Sequence, residues 1–363
     1  MDRESHVSFT ERFNTSTATA YLLITDLHWK RKKVFGRVNY DAEKEHALRN
    51  LIKVIEKYKS MGYNVILIFL GDIFDCSYEG VFDAIADNNQ MISLRLMTGN
   101  PVYSVIGNHE FTYYSDNPFW SLFTEMKSDK VASSVNRLWA PKGTLHTVDV
   151  VDELVDGNVR FIFNHYGSPV TQAPIDGKKN IGLFHLDLYA KEIVADVEQN
   201  KGARIFEHTP VYFNNSRILY GYDYAFLGHA HMFYGKWKYT CDITQYVTYV
   251  EYLSTLGRTN NLEIQDNMLE RNIPAVIVDN GEFVRIDDNK FFLMDRASCV
   301  IEEVVIAAKE AREELKERKI FRSYELLSED PIENLQKSFE SQPAFKTLFN
   351  EMLHSGNMQL GRE

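Results

Sequence analysis

Carboxylates and imidazoles recur in this chain at the ends of short apolar runs. The stretch "FLGHAHMFYG" (226–235) places His229 and His231 one residue apart, directly after such a run. On an extended segment, side chains at i and i+2 point to the same face, so the spacing predicts two imidazoles side by side. Taken alone, the pair reads as a surface loop carrying two solvated histidines. Four other runs end in the same kind of residue. Asp26 and His28 follow "AYLLIT", Asp72 and Asp75 lie in "GDIFD", Asn108, His109 and Glu110 follow "PVYSVIG", and His185 ends "NIGLF". Such a mixed set of oxygen and nitrogen donors suits Mn²⁺, Fe²⁺ or Zn²⁺ better than Ca²⁺. No cysteine joins the set, which argues against a structural zinc site. Each short motif is commonplace, but the ordered series after five apolar runs is not.

The elements that must position these residues are legible as hydropathy. "AYLLITDLHW", "NVILIFLGDIFD" and "PVYSVIGNHE" are apolar runs that stop abruptly in polar residues, as buried strands do. Between them, Leu48, Leu51, Ile52, Ile55 and Tyr58 recur at helical spacing over 41–61, and Gly62 stands where a C-terminal cap belongs. Residues 80–98 also read as helical. Strand–helix alternation with unbroken apolar strands predicts an α/β fold with a parallel sheet covered on both faces. In such a sheet the C-terminal strand ends line the ligand crevice. "NVRFIFNHYG", "NIGLFHLDLY" and "YDYAFLGHAH" are further strands. "YVTYVEYLST" and "AVIVDNGEFVRI" are expected in a second sheet, the latter with an Asn280-Gly281 hairpin turn. Residues near 111–158 and 187–220 read as insertions. Beyond residue 298 the charged, Ala-rich pattern "IEEVVIAAKEAREELKERK" predicts a helical extension over 299–363.

With 363 residues, 44% of them hydrophobic, the chain can bury a substantial core. A formal charge of −11 argues against a general nucleic-acid coat protein, although it leaves room for a local basic patch. Three cysteines without metal-type spacing point to a reducing compartment. Residues 1–19 form a polar arm without the apolar core of a signal peptide, and no uncharged apolar stretch is long enough to span a membrane. A soluble cytoplasmic protein with no membrane contact is the expectation.

The ordered series D-x-H, G-D-x-x-D, G-N-H-E, a strand-end His and G-H-x-H, spread over roughly residues 20–290, resembles the calcineurin-like metallophosphoesterase superfamily. Within it, "GDIFD" followed by "PVYSVIGNHE" is most similar to the SbcD-type DNA-repair nucleases. The resemblance implies a two-sheet α/β/β/α sandwich over 20–298 holding two divalent ions, with Mn²⁺ first in order and Fe²⁺ or Zn²⁺ as alternatives. Asp26, His28 and His231 would hold the first ion and Asn108, His185 and His229 the second. Asp72 would bridge them opposite a shared hydroxide, which attacks phosphorus. His109 would serve the leaving group as acid or charge stabiliser, its ring held by Asp75. Two strands end in histidine where the superfamily uses one. His185 is preferred, because in the nuclease-like members the ligand strand lies closest before the G-H-x-H strand. His165 is left to line the pocket or contact substrate.

Substrate residues are less constrained. Lys30, Arg31 and Lys32, with Lys33 and Arg37, follow the first ligand pair. They form either a solvated face or a grip on a polyanionic backbone. Arg258, in "YLSTLGRTNN", resembles the phosphate-binding loop of the nuclease-like members. Tyr113, Tyr114, Phe119 and Trp120 either stack on bases or pack the core. The leading expectation is therefore a metal-dependent phosphodiesterase acting on DNA. A phosphatase or phosphodiesterase for a phosphoprotein, nucleotide or small phosphoester is the alternative, weakened by Cys76 where the family's protein phosphatases carry Arg. A non-catalytic scaffold would show eroded ligand positions, and all are filled. By the same resemblance, 299–363 would dock a coiled-coil ATPase partner. A homodimer is left open.

Overall fold

The computed structural model describes residues 18–28, 40–73, 81–112, 124–126, 148–186, 188–189, 211–212, 217–231, 235–241, 243–257 and 270–295. In chain order the first half comprises β1 (Ala18–Ile24), α1 (Tyr40–Ser60), β2 (Asn64–Leu70), α2 (Val81–Thr98), β3 (Val102–Val105), α3 (Asn108–Thr112), β4 (Thr124–Met126) and β5 (Val148–Val150). Then follow β6 (Glu153–Asp156), β7 (Val159–Asn164), β8 (Lys179–Phe184), β9 (Leu188–Tyr189), β10 (Val211–Tyr212) and β11 (Tyr224–Leu227). The last are β12 (Gly235–Thr240), β13 (Val247–Tyr252), β14 (Glu270–Asn272), β15 (Ala275–Asp279), β16 (Glu282–Asp287) and β17 (Lys290–Phe292). The chain divides into two units, Met1–Cys299 and Val300–Glu363. The second unit, with the expected helical extension, lies outside the described residues, as does most of the N-terminal arm.

Two mixed sheets organise the first unit. One runs β16-β15-β1-β2-β3-β5-β4 and the other β12-β13-β11-β8-β7-β6. In β1, Ala20, Leu22 and Ile24 join a core with Leu51 and Ile55 of α1 and Met91 and Leu94 of α2. The alternate residues Tyr21 and Leu23 join a second core with Phe161 and Phe163 of β7, Leu183 of β8 and Phe226 of β11. Helices thus cover one face of the first sheet and the second sheet covers the other. That double burial explains the unbroken apolar runs, since a strand covered on both faces has no solvent side to make polar. Fully burying one such Leu, Ile or Phe side chain is worth roughly 1.5–3 kcal/mol, and cores on both sides of the first sheet supply many of them. The outer face of the second sheet buries Ile162, Phe184 and Leu227 against Leu219 and Tyr222. The result is the two-sheet α/β sandwich that the family resemblance implies.

Sheet membership differs from the expectation at several strands. The sequence pattern puts "AVIVDNGEFVRI" in the second sheet, yet β15 pairs antiparallel with β1, Ala18 facing Asp279, and carries β16 on its outer side. The further strands β7, β8 and β11, for which the sequence names no sheet, form the parallel centre of the second with β13. The supposed insertion at 111–158 contributes β4 and β5 to the first sheet, β5 lying parallel to β3. A strand buried on both faces shows no alternation, so its sequence carries no mark of which neighbour it will pair with. The Asn280-Gly281 turn does form, with both residues at positive φ.

Candidate metal centre

The C-terminal ends of β1, β2 and β3 in one sheet and of β8 and β11 in the other converge on one cluster. Asp26, His28 and His231 bring one ligand atom each within 4.8 Å of one another, and so do Asp72, His185 and His229. His28, Asp72 and His109 form a third such group between them. His28 Nε2 lies 3.0 Å from His231 Nε2, and Asp26 Oδ1 lies 3.0 Å from His231 Nε2. In the second group Asn108 Oδ1 stands 3.0 Å from His185 Nε2 and 2.9 Å from His229 Nδ1. Asp72 Oδ2 stands between the groups, 3.5 Å from His28 Nε2 and 3.3 Å from His185 Nε2. His109 Nε2 is 4.0 Å from the same oxygen, on a ring that keeps 29% of its surface open.

The backbone is bent to make this possible. Asp26, His28, Asp72 and His229 all have φ between 43° and 76°, the left-handed region. Such a conformation costs a non-glycine residue on the order of 1–3 kcal/mol and is retained only where the surroundings over-determine it. His229 is the instructive case. The sequence expectation put His229 and His231 on one face of an extended strand, but β11 ends at Leu227 and His229 has φ 76°. The chain turns there, sending His229 toward Asn108 and His185 and His231 toward Asp26 and His28, while Ala230 enters the outer core.

Glycines clear the space these side chains need. A Cβ on Gly107 would overlap the Asp72 carboxylate. On Gly71 it would overlap the His185 ring and stand 2.8 Å from Gly107 Cα. Glu110, named among the strand-end residues but given no role from the sequence, completes the scaffold. Its buried carboxylate accepts the backbone N–H groups of Asp72 (2.9 Å), Ile73 (2.7 Å) and Gly107 (2.8 Å), tying the end of β2 to the end of β3. Burial, then the neighbouring Asp72 charge, pushes its pKa up to about 7. Three backbone donors within reach of one carboxylate are a tertiary fact, and "GNHE" alone gives no sign of them.

Orientation is fixed atom by atom. Thr25 Oγ1 donates to Asp26 Oδ2, which also accepts the His229 N–H at 2.9 Å. Asp26 Oδ1 is left buried without a hydrogen bond. His185 Nδ1 donates to the Leu70 carbonyl at 2.5 Å, so Nε2 is the atom turned to the cluster. Asp72 Oδ1 accepts the His109 N–H at 3.0 Å. Burial by itself would raise the Asp26 and Asp72 carboxyls, but the facing imidazoles, His231 for Asp26 and His185 for Asp72, hold both well below the usual range. An unbonded buried carboxylate oxygen beside two imidazole nitrogens, with no sulfur donor, fits a borderline divalent cation. The two groups offer places for two.

His165 does not open onto this cluster. Its side chain is fully buried, with Nδ1 at the Ile106 N–H and Nε2 at the Val151 carbonyl, so the expected substrate contact is not made. Lys30, Arg31, Lys32, Asp75 and Arg258 lie outside the described residues, together with Lys33, Arg37, Tyr113, Tyr114, Phe119 and Trp120.

Residues 20–233 match the family model described as calcineurin-like phosphoesterase. The chain belongs to this family. A comparison with curated proteins finds no match. Among solved structures, this calcineurin-like phosphoesterase is similar to a 5′-nucleotidase precursor from Thermus thermophilus, at 15% identity and TM-score 0.37, over 81% of this chain and 58% of that one. It is also similar to a dimetal phosphatase from Danio rerio, at 12% identity and TM-score 0.38, over 76% and 99% of the two chains. A third is the sulfate thiohydrolase SoxB from Thermus thermophilus, at 10% identity and TM-score 0.35, over 86% and 61%. No helix among the described residues is long and apolar enough to cross a membrane.

Ion binding to this phosphoesterase should release protons. Burial pushes the His185 imidazole down, but Asp72 and Asp26 outweigh it and raise its pKa to about 9 in the ion-free chain. A ligand imidazole must be neutral, so between neutral pH and about 9 a cation has to displace that proton. Affinity should therefore rise with pH up to about 9 and then level. Calorimetric Mn²⁺ titrations at pH 7.5 in two buffers of different ionisation enthalpy should report about one proton released. Equal heats in the two buffers would contradict the assignment of His185.

Proposed function

We propose that the chain is a two-ion phosphodiesterase whose substrate is DNA. Asp26, His28 and His231 hold one ion, and Asn108, His185 and His229 the other. Asp72 serves both. The observation that carries this reading is the position of Asp72 Oδ2, within 3.5 Å of an imidazole nitrogen from each group. Two cations set close together repel, and a shared carboxylate between them offsets that repulsion. When bound, such a pair supplies Lewis acidity to the phosphoryl oxygens and lowers the pKa of a water.

The chain's own residues do the rest. Thr25 and the His229 N–H hold Asp26 Oδ2, leaving Oδ1 for the ion. His109 stands edge-on to His28 with ring centroids 4.5 Å apart, at the open side of the cluster. From there Nε2 can deliver a proton to a leaving alkoxide, and Asp75 would hold the ring. The choice of a diester rests on Cys76, where the family's protein phosphatases have Arg, and on the basic run Lys30–Lys33, which follows the first ligand pair in the sequence. On the same reading the ions are Mn²⁺, and 299–363 docks a coiled-coil ATPase.

Linear single- and double-stranded DNA, bis-p-nitrophenyl phosphate and p-nitrophenyl phosphate should be compared with Mn²⁺ present. Turnover of DNA and of bis-p-nitrophenyl phosphate is expected. Turnover of the monoester alone would replace the nuclease by a phosphatase.

A further inference from the structure

Ile106 is the residue through which β3 hands on to Gly107, Asn108 and His109. Both of its backbone polar groups are captured by the loop after β7. The Ile106 N–H donates to His165 Nδ1 at 3.0 Å, and its carbonyl accepts the Tyr166 N–H at 2.9 Å. Because Nδ1 accepts, the proton of the neutral ring sits on Nε2, which donates to the Val151 carbonyl at 3.1 Å. Asp152 Oδ1 stands farther from the same nitrogen, at 3.6 Å, too long for a hydrogen bond. The ring is stacked 6.5 Å from Phe163 and has no exposed surface.

The place of this ring in the topology gives it meaning. The β3–β5 ladder stops at Ser104 and Val150. Beyond it, no strand pairing among the described residues includes Ile106 or Val151, and the imidazole bridges the two. It directly follows β7 of the other sheet, so it ties the exits of β3 and β5 to the second sheet at the end where the cluster lies.

We propose that His165 is a positioning residue for the phosphoester reaction. Through the Ile106 N–H it sets the direction in which Asn108 and His109 leave β3. That keeps the Asn108 amide within reach of His185 and His229. His165 touches neither substrate nor ion. The inference rests on the two-ion reading given above, and hydrogen exchange provides a readout that does not depend on it.

Three variants separate the roles of the ring atoms. His165→Asn keeps an acceptor close to the place of Nδ1 and loses the donor to Val151. His165→Gln reaches the place of Nε2 and leaves the Ile106 N–H without its acceptor. His165→Leu loses both. All three are expected to melt below wild type. H165N should retain kcat within about 10-fold, whereas H165Q and H165L should lose about 10–100-fold, the range typical of residues that orient ligands. KM should stay within about 2-fold in all three, because the ring touches no substrate. Mn²⁺ titration should show the weaker of two sites lost first in H165Q. Hydrogen exchange over residues 102–112 should quicken in H165Q and H165L but not in H165N.

Equal kcat and equal Mn²⁺ binding in H165N and H165Q, or losses that simply follow melting temperature, would overturn the proposal. Unchanged exchange over 102–112 in H165Q would overturn it whatever the activity. If wild type hydrolyses no phosphoester, the two-ion reading fails. The exchange ordering of the three variants then decides the role of His165 by itself.

Discussion

Asp72→Asn should bind neither ion tightly and should lower phosphoester turnover by about 10³-fold or more, some 4 kcal/mol of transition-state stabilisation. The substitution is nearly isosteric, so the argument is electronic. Oδ1 keeps its bond from the His109 N–H, and Asn tolerates the left-handed backbone seen at φ 50°. What changes is the second oxygen. Oδ2 faces His28 and His185 from 3.5 and 3.3 Å, and an NH₂ there offers donors where a negative charge is needed. Two cations would then face each other without the shared anion. Far-ultraviolet circular dichroism should match wild type, separating loss of chemistry from loss of fold. A D72N protein that keeps both ions and its turnover would remove Asp72 from the centre of the site.

Gly228→Ala should damage the site to a smaller degree, from a position that binds nothing. Its backbone is not in the left-handed region, so an alanine meets no torsional objection. The obstacle is space. A Cβ there would overlap Thr25 Oγ1 and stand 2.7 Å from the Leu70 carbonyl and 3.1 Å from Asp26 Oδ2. Thr25 Oγ1 holds Asp26 Oδ2, and displacing it turns Oδ1 away from His231. We expect about 1–3 kcal/mol of destabilisation from overpacking, with affinity for the first ion reduced about 10–100-fold. Gly99→Ala is the control. Gly99 has φ +72° with nothing within 4 Å of a Cβ, so alanine there strains the backbone without reaching the cluster. If G228A and G99A bind Mn²⁺ alike, the space around Gly228 has no role in the site.

Much of the first sheet and its chemistry was legible because burial and ligation both leave marks on composition. A strand covered on both faces must be apolar throughout, and "NVILIFL" shows it. A run that stops in Asp, His or Asn marks where that cover ends. The five strand ends carrying Asp26, Asp72, Asn108, His185 and His229 could therefore be found one by one. That they form one cluster came from their order along the chain and a family resemblance. Neither route reached what Glu110 and His165 bind. Their partners are backbone N–H and carbonyl groups, which every residue possesses and no sequence motif distinguishes.

The amino-acid sequence alone determined which runs are buried strands, that α1 lies between the first two, and which donor types stand at the strand ends. These follow from periodicity and residue chemistry, which are local. Only the tertiary structure decided that β15 closes on β1 and that β7, β8 and β11 build the facing sheet. It also decided that His229 and His231 part company through a left-handed turn, rather than lying together on a strand. Pairing partner and turn direction depend on what approaches from elsewhere in the chain. His229 shows it most plainly, since its φ of 76° is held by an N–H bonded to Asp26, a residue 203 positions away.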